Sequence, residues 1–182
     1  TVTEVYPEDY RGWNNLGVCQ YKLGDYSAAA QNFSKAAKIN PASNEAAMNQ
    51  GLSALINENY GEAKQLLGAA AGAEGLNEAL GTYYIKTGDY NAAAGAFGNS
   101  VGNNAALAKI LTKDYSGAKQ TLAAIANPDA TTYYLMAVVG ARTNNEQMVT
   151  SNLRQAVKLD SSLANRAKND LEFAKFNLSS VL

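Results

Sequence analysis

Apolar positions along the chain recur in pairs of short stretches, each pair joined by a polar turn. In the first pair, Leu16 and 18–21 supply one apolar face. Ala29, Phe33 and Ala36 follow at spacings of four and three, so they share one side of a second helix. Gly24-Asp25 lies between the two stretches, and Pro41 follows the second, where it stops continuation. Gly17 and Ala29 are small at the places where the two helices are expected to cross closely.

The same unit returns four times. Gly51, Asn59-Tyr60, Ala63, Leu67 and Ala70 repeat the pattern of Gly17, Asp25-Tyr26, Ala29, Phe33 and Ala36. Leu80-Gly81, Lys86 to Tyr90, Ala93 and Phe97 repeat it again. The fourth copy is compressed, with Asp114-Tyr115 only 25 residues after Asp89-Tyr90. Its helices are predicted to be short, near 105–112 and 116–125. The fifth copy carries Tyr133, Met136 and Ala137, a turn at Thr143-Asn144-Asn145, and then Val149, Leu153 and Ala156. A last amphipathic stretch places Leu163, Ala167, Leu171 and Ala174 on one side. The expectation is an all-α chain of five repeats, 10–43, 44–73, 74–101, 102–127 and 129–160, plus a capping helix over 162–178. An array of stacked units needs such a cap for solubility.

Composition supports many short helices. The chain has 33 alanines and 20 asparagines but only three prolines; alanine is the best helix former, and asparagine suits caps and turns. Each Asp of the Asp-Tyr pairs is expected to cap a second helix while its tyrosine packs into the junction. Charged residues are 17%, with 15 basic against 16 acidic side chains, and this balance argues against a general nucleic-acid binder. No run of 18 apolar residues is present, so no transmembrane segment is expected. The first residue is Thr1, which reads as a processed product or a cut fragment.

The pattern Trp13, Leu16, Gly17, Tyr21, Ala29, Phe33, Ala36 and Pro41 resembles the tetratricopeptide repeat (TPR) family, with the aromatic displaced by one residue. The resemblance covers roughly Tyr10 to Asp160. Ala47 and Asn77 stand where the family has its tryptophan, and the 30- and 25-residue spacings that lead to the third and fourth copies are short for it. It implies a right-handed superhelical solenoid of antiparallel helix pairs, with the first helices lining a concave side. On that side the resemblance places Asn14, Val18, Tyr21 and Lys22, then Met48, Asn49, Leu52 and Ile56. Glu78, Thr82, Ile85 and Lys86 come next, followed by Tyr134, Val138, Ala141 and Arg142. This mixture of apolar, amide and aromatic side chains suits a peptide or a partner helix. The segments 107–115, 132–135 and 171–175 are further similar to TPR segments of Bacteroidales envelope proteins, some with an OmpA-like peptidoglycan-binding domain. That likeness implies a periplasmic module tied to the outer membrane or peptidoglycan through parts outside this chain.

Catalytic chemistry is not expected. There is no histidine, which removes the His-containing triads and histidine-ligated zinc, and a single cysteine permits no intrachain disulfide. Cys19 falls among Leu16, Gly17, Val18 and Leu23 and is expected to be buried. Glu74 and Glu78 share a helix face, where they favour a helix start through its dipole. No spacing resembles a metal loop, so no metal or cofactor is expected. Asn15 and Asn49 match places where some relatives clamp a terminal carboxylate, but Asn14 and Val18 replace the partners of that clamp. The expected function is a non-enzymatic protein- or peptide-binding scaffold. The alternative is an architectural spacer whose groove is filled by 1–9 or 178–182.

Overall fold

The computed structural model describes residues 1–179 and 181, and every regular element among them is helical. The chain forms two compact units, Thr1–Asp89 and Tyr90–Leu182. The first contains α1 (Val2–Val5), α2 (Tyr10–Lys22), α3 (Tyr26–Ile39), α4 (Asn44–Ile56), α5 (Tyr60–Ala69) and α6 (Leu76–Thr87). The second contains α7 (Tyr90–Phe97), α8 (Asn103–Leu111), α9 (Tyr115–Ala123), α10 (Ala130–Arg142), α11 (Glu146–Leu159) and α12 (Leu163–Asn169), then a 3-10 turn, Leu171–Phe173. Helices pack as antiparallel pairs, α2 with α3 and α4 with α5 in the first unit, α8 with α9 and α10 with α11 in the second. First helices also touch along each unit: α2 meets α4, α4 meets α6, and α8 meets α10.

One turn makes these pairs. In α2 the Asp25 N–H donates to the Gln20 carbonyl and the Gly24 N–H to that of Tyr21, which closes the helix with a left-handed residue at position 24. Asp25 then caps α3, its carboxylate accepting the Ala28 N–H. The paired bonds recur from Asn59 to Ala54 and Glu58 to Leu55, from Asp114 to Lys109 and Lys113 to Ile110, and from Asn145 to Gly140 and Asn144 to Ala141. Asn59, Asp114 and Asn145 cap α5, α9 and α11. Thus a single residue ends one helix and the next starts another.

The turn requires positive φ just before the cap. Glycine supplies it at Gly24 (83°) and Gly88 (84°), but Glu58 (59°), Lys113 (67°) and Asn144 (56°) adopt it with a Cβ in place. A left-handed residue with a side chain costs about 1–2 kcal/mol. Lys113→Gly is therefore expected to stabilise the second unit by about 1 kcal/mol and Gly24→Ala to destabilise the first by a similar amount. Thermal midpoints that move the other way would refute this account of the turn.

The pair cores follow the repeated spacing. Four and eight residues after each cap stand Ala29 and Phe33, Ala63 and Leu67, Ala118 and Leu122, and Val149 and Leu153, all buried. Close crossing is visible at two glycines of the first unit. A Cβ on Gly17 would lie 2.5 Å from the Phe33 ring, and one on Gly51 would lie 2.8 Å from Leu67.

Several expectations are corrected. Cys19 is exposed; α1 lies near Gly12 on its stripe of α2, and Leu16 and Leu23 are exposed beside it. The fourth pair is short, as expected, but each helix begins and ends one or two residues earlier than 105–112 and 116–125. Tyr26 and Tyr90 are exposed rather than packed fully into their junctions. The capping helix is present but ends at Asn169. Asp170 turns extended and its carboxylate accepts the Glu172 N–H, which starts the 3-10 turn. The break buries Phe173 and leaves Leu171 89% exposed, so Leu171 is not on the packed face.

Candidate functional site

Helical spacing of three and four places each row of expected contact residues on one stripe of its helix. In the first unit these are Asn14, Val18, Tyr21 and Lys22 on α2, Met48, Asn49, Leu52 and Ile56 on α4, and Glu78, Thr82, Ile85 and Lys86 on α6. Asn49 is buried and donates its amide to Asn14 Oδ1 at 2.6 Å. That bond ties neighbouring first helices together and withdraws Asn49 from any ligand. Tyr21 packs edge-on against Tyr26, with ring centroids 5.4 Å apart, and burial raises its phenol above the ordinary value. Val18, Met48, Leu52, Ile56, Thr82 and Ile85 are half-buried, while Lys22, Glu78 and Lys86 are exposed.

The second unit holds a better-defined concavity. A groove of about 290 Å³ runs along the first helices, with Asn103, Leu107 and Leu111 from α8 and Leu135, Val138 and Arg142 from α10. Arg166, Asp170 and Glu172 complete its far wall. Val138 and Tyr134 are largely buried, so they form floor and support rather than a free surface.

The far wall is fastened by polar contacts. Tyr134 donates its hydroxyl to Asp170 Oδ2 at 2.6 Å and meets the Phe173 ring edge-on at 5.5 Å. Burial, then the Asp170 carboxylate, push the Tyr134 phenol far above its usual range, so it remains a donor. Arg142 donates to both carboxylate oxygens of Glu172, the Nε bond measuring 2.6 Å. That partner raises the guanidinium pKa further. The Arg166 guanidinium lies 5.0 Å from the centre of the Tyr134 ring.

The near wall begins at Asn103, which donates its amide to Asp129 Oδ1 at 3.0 Å. Asp129 caps α10 and accepts from the Thr132 N–H and hydroxyl. Burial pushes its carboxyl up, but the bonds from Thr132 and Asn103 outweigh this and leave it below the usual value. The other side-chain atom of Asn103, Oδ1, is buried with no hydrogen-bond partner.

Sequence reasoning placed Tyr134, Val138 and Arg142 at this groove but missed α8 and the far wall. The signal for α8 was present. Asn14, Val18 and Lys22 lie eleven, seven and three residues before the cap Asp25, and Asn103, Leu107 and Leu111 lie at the same offsets before Asp114. The expected filling of a groove by 1–9 is not seen: α1 packs near Gly12, away from the Asn14 and Val18 stripe. Of the segment 178–182, Leu178 and Val181 pack against the second unit's core, and residues 180 and 182 lie outside the described residues.

No group of three or more His, Cys, Asp or Glu among the described residues is placed to hold a metal ion. No helix among them is long and apolar enough to cross a membrane.

Paired helices joined by capped two-residue turns, with small residues at the crossings, define an array of two-helix repeats. Residues 10–43 match the tetratricopeptide repeat family, and the chain has the helical fold of tetratricopeptide repeat proteins. It is similar to a chain of the APC/C Cut9–Hcn1 hetero-tetramer, with a TM-score of 0.75 and 16% identity over 92% of this chain and 36% of that one. This chain thus spans about a third of that protein's length. A tetratricopeptide repeat protein from Parabacteroides merdae gives a TM-score of 0.67 and 13% identity, over 90% of this chain and 71% of that one. YrrB, a TPR protein with an unusual peptide-binding site, gives 0.59 and 22%, over 92% and 96%. No curated protein matches the sequence.

Proposed function

We propose that the chain is a non-enzymatic protein- or peptide-binding scaffold, with the groove along α8 and α10 as its principal binding surface. Tetratricopeptide folds generally serve protein–protein interaction, and the groove is the observation that carries the reading for this chain. Its floor is apolar, from Leu107, Leu135 and Val138, and its rim is polar. That is the composition by which a concave site gains affinity from burial and orientation from a few polar groups. The similarity to YrrB, a peptide-binding protein, points the same way.

The test is photo-crosslinking from a benzoylphenylalanine placed at position 107, with a control at Lys119, which is exposed on α9. A protein partner captured from position 107 and not from 119 supports the reading. Equal capture at both, or capture at neither, overturns it in favour of a spacer that positions neighbouring domains.

We also propose, from the likeness of 107–115, 132–135 and 171–175 to envelope proteins, that the scaffold works in the periplasm as part of a larger outer-membrane-associated or peptidoglycan-associated protein. Fractionation of cells producing the native protein, with antibody to this chain, is expected to recover it with the envelope. Recovery with the cytosol would refute the placement.

A further inference from the structure

The stripe of α2 that carries Cys19 differs from the same stripe on the other first helices. In α4, α6, α8 and α10 the second helix of the preceding pair packs against the first helix. Six residues before the turn residues Asn59, Asp89, Asp114 and Asn145 stand Ser53, Tyr83, Ala108 and Val139, each buried or half-buried. Cys19 holds that place before Asp25 and is exposed. Leu16 and Leu23, three residues before it and four after, share its stripe and are exposed with it.

This face is more than an open stacking surface. Two residues before the turn residue, the other pairs carry Asn57, Thr87, Thr112 and Thr143, of which Thr112 is half-buried and the rest are exposed. Packing of one pair on the next thus leaves that place polar and largely uncovered. The first pair has Leu23 there, 85% exposed. A preceding helix pair in the same register would cover Cys19 and leave Leu23 in water. Whatever covers all three leucine and cysteine side chains must run along α2 to its C-terminal end.

α2 offers both halves of such a contact. α1 and α2 enclose a groove of about 240 Å³ lined by Val2, Gly12, Leu16 and Cys19, with Thr1 and Asn15 beside them. Leu23 is a knob of the size such a groove takes. It stands eight residues, about 12 Å, along the helix from Asn15. A two-fold axis that sets Leu23 of each copy opposite Asn15 of the other crosses α2 midway, at Cys19. Two α2 helices then meet antiparallel, and each copy's Leu23 enters the other's groove. Charge follows the same geometry. Asn15 and Lys22 lie seven residues apart on one flank of the stripe, so Lys22 of one copy arrives at the Asn15 flank of the other. Glu4 stands there, its carboxylate bonded to the amine of the groove-lining Thr1. Lys22 and Glu4 are both exposed, and the axis pairs them twice.

We propose that the chain forms a two-fold dimer through α2, with Leu23 of each copy seated between α1 and α2 of the other, Lys22 facing Glu4, and the two Cys19 side chains at the axis. Such a contact uses the same patch on both copies and closes at two. It involves the first unit alone and does not depend on binding at the groove along α8 and α10.

Sedimentation equilibrium of the full chain is expected to give twice the mass of one copy. The short cysteine crosslinker bismaleimidoethane is expected to join two chains through Cys19. Leu23→Asn installs the residue that the second pair carries at position 57. It is expected to weaken self-association at least tenfold and to abolish the crosslink, with helicity unchanged because the side chain is exposed. Lys22→Glu and Glu4→Lys are each expected to weaken the dimer, and the two together to restore it, which association through an unspecific apolar patch would not do. A single-copy mass at the highest soluble concentration would give this face to a different partner and overturn the proposal. A dimer or crosslink that survives Leu23→Asn, or a charge exchange that restores nothing, would overturn it as well.

Discussion

Phe33→Ala is expected to destabilise the first unit by about 3–5 kcal/mol, and Gly17→Ala is expected to lose its own penalty in that background. Phe33 is 1% exposed and fills the crossing of α2 and α3. Its removal takes away a large buried surface and leaves a cavity that two rigid helices cannot fully close. Gly17 is the other half of the contact. A Cβ there would lie 2.5 and 2.6 Å from two ring carbons and 3.2 Å from the Ala29 carbonyl oxygen. Overpacking of this kind costs about 1–3 kcal/mol, against about 1 kcal/mol gained from alanine's better helix propensity. Once the ring is gone, the first effect largely disappears and the second remains. The double variant should therefore be at least as stable as Phe33→Ala alone, although Gly17→Ala lowers stability in the native background. Urea unfolding followed by helicity, with hydrogen exchange in α2 and α3 as the local readout, measures both steps. An equal penalty for Gly17→Ala in the two backgrounds would refute the close-crossing argument.

This crossing was legible in the sequence because everything that sets it lies within one pair. Gly17, the Gly24-Asp25 turn, Ala29 and Phe33 are fixed by helical period and a capping residue, both local properties. The cap stayed readable even where Glu58 and Lys113 replaced the glycine before it, because Asn59 and Asp114 still mark the helix start. Contacts between pairs were not legible in this way. Asn14 with Asn49, Tyr134 with Asp170 and Arg142 with Glu172 join residues 35, 36 and 30 positions apart. No period links such residues; they meet because stacking brings neighbouring repeats together. Cys19 and Leu171 failed for a related reason. Periodicity identified a stripe but not what would cover it, and it extended a helix through Asp170, where a capping bond ends it.

Asp170 and its neighbours set up the second large effect: Phe173→Ala is expected to cost about 3–5 kcal/mol, and Glu172→Gln no more than about 1 kcal/mol. Both residues fasten the same short turn to α10. Phe173 is 1% exposed and contacts Tyr134 edge-on, so its loss removes core packing outright. The Arg142–Glu172 pair has side chains 45% and 27% exposed, and water and salt weaken such a bond. In an array stabilised mainly by contacts between neighbours, damage at the last element should stay near the end. Hydrogen exchange in Phe173→Ala should therefore accelerate first in α12 and the 3-10 turn, then in α10, with α8 and α9 least affected. If Glu172→Gln proves the more damaging of the two, or if 1 M salt loosens the native turn as much as losing the ring does, charge rather than packing closes the unit.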